Sequence, residues 1–162
     1  MKLKSFFLLI FFSSCLAASA EAGIGAAVSY SPSTMPTSFV SFTARSDVSP
    51  WCVFLNGHLE KKTVSIFVDD WFINERISEH VDYFVLWGIS LGATFDDGKR
   101  MVATGSRLGA GLDFFFLGRK VEFFTQAVFE PYYGIKKNRG ENWKPFIRPL
   151  NFPCSAGIRA WF

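Results

Sequence analysis

The chain has few cysteines, no long apolar run beyond its first twenty residues, almost no charge excess and no familiar catalytic spacing. Each shortage excludes something. Only Cys15, Cys52 and Cys154 are present. Cys52 and Cys154 fall on separate predicted strands and on opposite faces, so two lone buried thiols are expected rather than a disulfide. After residue 20 no segment reaches the 18 or so consecutive apolar residues of a membrane helix. Seventeen basic residues stand against 14 acidic ones, and this near balance gives no reason to expect a nucleic-acid partner. No metal-ligand spacing, phosphate-binding loop, nucleophile elbow or dinucleotide fingerprint occurs, so no metal or cofactor is expected and the chain does not read as an enzyme. The glycines at 105, 109 and 111 lie on a predicted strand, where they ease close packing and bending.

What is present begins with the N-terminus. Lys2 and Lys4 precede an apolar run from Phe6 to Phe12, and Ala18-Ser19-Ala20 closes a small-residue stretch. That order marks a secretory signal over 1–20, with cleavage after Ala20. The competing reading makes Cys15, after Phe12-Ser13-Ser14, a lipidation site. The small-residue spacing at Ala20 and the brevity of the apolar run favour cleavage, and a diacylated Cys15 in a mass spectrum would overturn it. Residues 21–162 then form one domain, since no repeat, linker or composition shift divides them.

Hydrophobic residues make up 49% of the chain, with 20 Phe, 5 Trp and 13 Gly, yet they never collect into long runs. They are spread by alternation, which is the signature of strands. Turn signals cut the chain into eight segments, starting at Gly23, Thr37, Trp51, Thr63, His80, Met101, Lys120 and Phe146. The fifth is the clearest. Val81, Tyr83, Val85, Trp87, Ile89, Leu91, Ala93 and Phe95 form its apolar face, with Asp82, Gly88, Ser90, Gly92 and Thr94 opposite. The last segment ends at Phe162 with Arg159 and Trp161 turned inward. Eight strands of about 9–11 residues fit the available length, whereas sixteen do not. The expectation is an all-β, eight-stranded, antiparallel up-and-down transmembrane β-barrel. A secreted β-sandwich also alternates. Aromatic placement favours the barrel, because Trp51, Trp71, Tyr83 and Trp161 fall near one rim and Tyr30, Tyr132, Tyr133 and Trp143 near the other. Asp70 dissents by falling on the apolar face, a conflict that a bulge at Asp69-Asp70 would remove.

The charges assigned to the interior form the main candidate site. A two-residue turn at Gly118-Arg119 sets Arg107 opposite Glu130, an expected ion pair. Arg45, Asp69, Asp113, Glu122 and Arg159 point inward at similar expected depth. They read either as a selectivity ring or as a salt-bridged plug, and the plug is favoured because eight strands leave an interior that side chains fill. His58 and Glu60 make an inward His-x-Glu, which could serve as a general base, though a lone histidine is more often structural. The segment from Lys136 to Lys144 is expected to be an outer loop, where Lys136, Lys137, Arg139, Trp143 and Lys144 could contact a host protein or an acidic glycan.

With these features together, the chain resembles small outer-membrane barrels of the OmpA/OmpX/OmpW type, and more narrowly their spirochaetal members. The resemblance lies mainly over 80–162, in SRLGAGLDFFFLGRKVEFFTQAVFEPYYG and the closing AGIRAWF. It implies insertion into outer-membrane lipid by the barrel-assembly machinery, which reads the C-terminal aromatic Phe162. It implies no particular activity, since such barrels serve as anchors, adhesins, small channels and lipid enzymes. The expected role is a monomeric surface protein, structural or adhesive. A narrow conduit for small or hydrophobic solutes is second and a lipid-modifying enzyme third.

Overall fold

A computed structural model describes residues 21–31, 37–58, 62–96 and 98–162. The expected signal segment, its Ala20 and Cys15 alternatives, and Glu60 lie outside the described residues. Those residues contain ten strands: β1 (Ala22–Ser31), β2 (Thr37–Ser46), β3 (Trp51–His58), β4 (Thr63–Ser78), β5 (Val81–Asp96), β6 (Lys99–Phe116), β7 (Val121–Phe129), β8 (Tyr132–Asn138), β9 (Lys144–Arg148) and β10 (Cys154–Trp161). Eight of them close into an antiparallel barrel in the order β1, β2, β3, β4, β5, β6, β7, β10. The β6–β7 register places Leu108 opposite Phe129 and Phe116 opposite Val121, as the turn at Gly118-Arg119 requires. Both turn residues have positive φ (65° and 68°), the backbone of a tight hairpin whose twist matches its strands.

Closure is made by β1 and β10, from Gly23 opposite Trp161 to Tyr30 opposite Cys154. Mutual backbone bonds between Ala22 and Phe162, 3.1 and 3.2 Å, extend the pairing to the last residue. This end of the barrel is called the terminal rim. The level of Gly23 passes through Arg45, Cys52, Asp69, Gly88 and Arg107. Continued through β7 and β10, it meets β1 again about ten residues higher, so the strands tilt by roughly 40° to the barrel axis.

The seventh and eighth expected segments each divide. β8 continues the line of β7 beyond Glu130-Pro131 and pairs with β6 over Lys99–Gly105, while β9 pairs only with β8. The sequence assigned the basic stretch around Lys136 to a loop. Most of it is instead this β8–β9 hairpin, standing above the ring at what is called the hairpin rim. Inward residues change from Arg148 in β9 to Asn151 and Pro153 before β10, so one extra residue sits between the two limbs.

Alternation has the expected outcome on the long strands. On β5, Trp87, Ile89, Leu91 and Phe95 are 49–59% exposed, while Phe84 and Leu86 are fully buried. The interior carries a slab of apolar side chains toward the terminal rim. Phe54 meets Phe124 edge-on at 6.0 Å, and Trp71 stacks on Phe84 at 3.5 Å.

Three local readings need correction. The bulge in β4 is real but lies one step beyond Asp69-Asp70. Asp70 still pairs with Trp87, and pairing resumes at Ile73 opposite Val85, leaving Trp71 and Phe72 to share the place facing Leu86. Asp70 therefore stays on the outer face, between Trp51 and Trp87. Trp71 keeps the inward side it shares with Asp69, and the bulge reverses the alternation only from Ile73 onward, so the residue expected in the rim girdle is 2% exposed inside the barrel. Cys154, expected to be buried, is exposed on the outer face, and of the two described cysteines only Cys52 is buried.

Candidate functional site: the charged interior and the cup above it

The inward charges form two clusters rather than one ring. In the lower cluster Arg159 is fully buried. Its guanidinium donates to Glu122 Oε1, to Thr43 Oγ1 at 3.2 Å and to Cys52 Sγ at 3.1 Å. It also lies 3.9 Å over the Phe124 ring. Glu122 accepts a second bond from Trp161 Nε1 at 2.7 Å. Arg45 donates to Asp113 Oδ2 at 3.1 Å, passes 3.9 Å from Glu122, and sits 4.1 Å over Trp71. Two arginines thus face two carboxylates, and stacked rings fill the remaining section.

The middle cluster is built around Arg107. Its Nε and Nη2 donate to the two oxygens of Asp69 at 2.8 and 3.2 Å, and its Nη1 donates to Glu130 Oε2 at 2.9 Å. The guanidinium also covers the Phe67 ring at 4.0 Å. Asp69, placed by sequence with the lower set, belongs here because strand tilt brings it level with Arg107 across Gly88. Gly88 is what lets the bridge form. A Cβ there would stand 2.3 Å from Asp69 Oδ1 and 2.4 Å from the Val68 carbonyl oxygen. The sequence showed a glycine in a strand but not the ion pair that crosses it. Gly111 plays a similar part below, where a Cβ would come within 2.3 Å of the Phe84 ring that carries Trp71.

Above Arg107 the interior opens into a cup of about 380 Å³. Its wall includes hydroxyls that also bond one another. Thr63 meets Thr94 at 2.9 Å, and Ser31 donates to Asn151 Oδ1 at 2.5 Å. His58 lines the cup with its ring 5.6 Å from that of Phe39.

The five hairpin residues do not form one patch. Lys136 turns inward over Phe146 at 5.8 Å. Lys144 bonds Glu141 at 3.0 Å and holds that carboxyl below the usual range. Lys137 is half-buried, Arg139 packs near Gly98, and Trp143 is exposed. Among the described residues no group of three or more acidic, histidine or cysteine side chains is arranged to hold a metal.

No protein-family model and no curated protein matches this chain.

Proposed function

We propose that this protein is an integral outer-membrane barrel of the OmpA/OmpX/OmpW type that conducts no ions and acts at the surface as a structural or adhesive protein. The observation that carries the reading is the distribution of polarity. An apolar outer face runs round the ring, from Val28 and Val40 through Leu55 and Val64 to Ile89, Leu108 and Ile158. The interior behind it is charged and salt-bridged. That arrangement suits a wall between lipid and a polar interior.

The dimensions agree. At a tilt of roughly 40°, about ten residues cross an apolar band of about 25 Å. β1 has 10 residues and β7 has 9. The turns at the terminal rim are short, as on the periplasmic side of such barrels, and the hairpin would then face outward. The clusters around Arg159 and Arg107 cross the lumen at two levels, which argues against a continuous aqueous path. His58 opens to the cup rather than to the outer face, which argues against lipid hydrolysis at that residue.

Fractionation, gel mobility and planar-bilayer recording test the proposal together. The expected protein is found with outer-membrane lipid, migrates differently before and after boiling, and gives no unitary conductance. A detergent-free soluble monomer would end the membrane reading, and discrete conductance steps would replace the plug with a channel.

A further inference from the structure

We propose that the cup is a binding site for a carboxylated sugar, a pyranose bearing hydroxyls at one end and one carboxylate at the other. The inference rests on the surface-interaction reading and names a ligand class for it.

The cavity is closed below and open above. Its lower end is lined by Glu130 and Phe67, both held against Arg107 beneath them, and its mouth is at the hairpin rim. At about 380 Å³ it sits near the lower end of small-molecule sites, which run from about 300 to 1,000 Å³. One or two sugar rings suit that space.

The wall has two kinds of surface. Hydroxyls from Ser29, Ser65, Ser90 and Thr94 supply donors and acceptors, and the rings of Phe39, Phe67, Tyr132 and Phe146 supply apolar faces. A pyranose has the matching pair, with C–H groups across the ring face and hydroxyls around its edge. A fatty acid would have to lay its chain against the hydroxyls.

Charge then selects among sugars and sets their orientation. The lower end presents the Glu130 carboxylate beside the Ser90 hydroxyl, so it favours hydroxyl donors. The mouth carries Lys99, Lys136 and Arg148 against Asp96, so it favours an anion. The basic groups are held in place by the rings: Arg148 lies 5.5 Å over Tyr132, and Lys136 lies over Phe146. A guanidinium has five fixed donors and recognises carboxylates by paired bonds. The carboxylate therefore lies upward at Arg148 and Lys136, with the hydroxyl edge downward toward Ser90 and Glu130.

Titration calorimetry of the full chain, purified in non-ionic detergent, tests this with D-glucuronate, glucose, glucosamine and decanoate. Glucuronate is expected to bind at least about tenfold more tightly than the other three. Arg148→Ala should weaken it by about tenfold or more, and Ala103→Trp, which fills the cup, should abolish it. Both variants should keep the heat-modifiable mobility of the parent, which separates a lost ligand from a lost fold. An oligosaccharide ending in glucuronate distinguishes a surface glycan from a free solute. No binding of glucuronate up to about 10 mM to a folded, membrane-located protein overturns the ligand class and leaves the barrel reading intact. Tighter binding of decanoate or glucosamine also overturns it, in favour of an apolar or cationic ligand.

Discussion

Arg107 offers the sharpest test of how the interior is held together. Its side chain is 1% exposed and it is the cation shared by Asp69 and Glu130, whose side chains are 0% and 9% exposed. Arg107→Leu removes the shared charge and leaves two carboxylates facing each other without it. Breaking one buried pair in this way costs about 3–5 kcal/mol. With two acids stranded, the loss should lie at the upper end, near 5 kcal/mol. Neutralising all three positions, as Arg107→Leu with Asp69→Asn and Glu130→Gln, removes the stranded charge too. That triple variant should recover much of the loss and lie about 1–3 kcal/mol below the parent, since the stranded charges are gone but two buried amides remain incompletely bonded. The exchange Arg107→Glu with Glu130→Arg should recover only part of the loss. It restores one pair but sets Glu at 107 beside Asp69. Equilibrium urea unfolding in detergent micelles, followed by tryptophan fluorescence and gel mobility, gives the three differences. A triple variant as unstable as Arg107→Leu alone would refute the electrostatic account and make the loss one of packing over Phe67.

Three further outcomes follow from neighbouring features. Trp71→Ala removes a ring stacked on Phe84 and covered by Arg45, and should cost about 3–5 kcal/mol in the same unfolding assay. Asp70→Leu places an aliphatic group on the outer face between Trp51 and Trp87. It should stabilise the inserted barrel by about 1 kcal/mol, read as a higher urea midpoint in vesicles. Phe162→Ala keeps the two backbone bonds to Ala22 and loses a side chain that is 78% exposed. Its refolded stability should change by no more than about 0.5 kcal/mol, while the amount reaching the outer membrane falls several-fold. Equal amounts of parent and variant there would remove the assembly role assigned to that aromatic.

The barrel was legible because period-two alternation is local. The apolar face of β5 can be listed from Val81 to Phe95 without knowing any neighbour. The Arg107–Glu130 opposition was legible for a similar reason, since one short turn fixes the register on both sides of it. Trp71 was assigned to the rim girdle by its residue type, although the alternation that turns Asp69 inward carries Trp71 to the same side; what β4 alone does not reveal is the residue beyond it at which β5 falls out of step. The Asp69–Arg107 bridge was missed because it spans three strands and needs the absent Cβ of Gly88. The rim extension was missed because Tyr132–Asn138 alternates weakly, and its pairing depends on how far β6 rises beyond the ring.

The sequence by itself therefore determined an all-β chain, which side of each regular strand faces outward, and the antiparallel hairpin order. These follow from steric alternation and turn chemistry within a few residues. Only the tertiary structure decided which charges meet, where the interior is filled and where it opens. Those depend on shear. Tilting the ring by about ten residues sets Asp69 beside Arg107 rather than Arg159, and leaves the cup above them. Relative depth is a property of the closed sheet, and no single strand carries it.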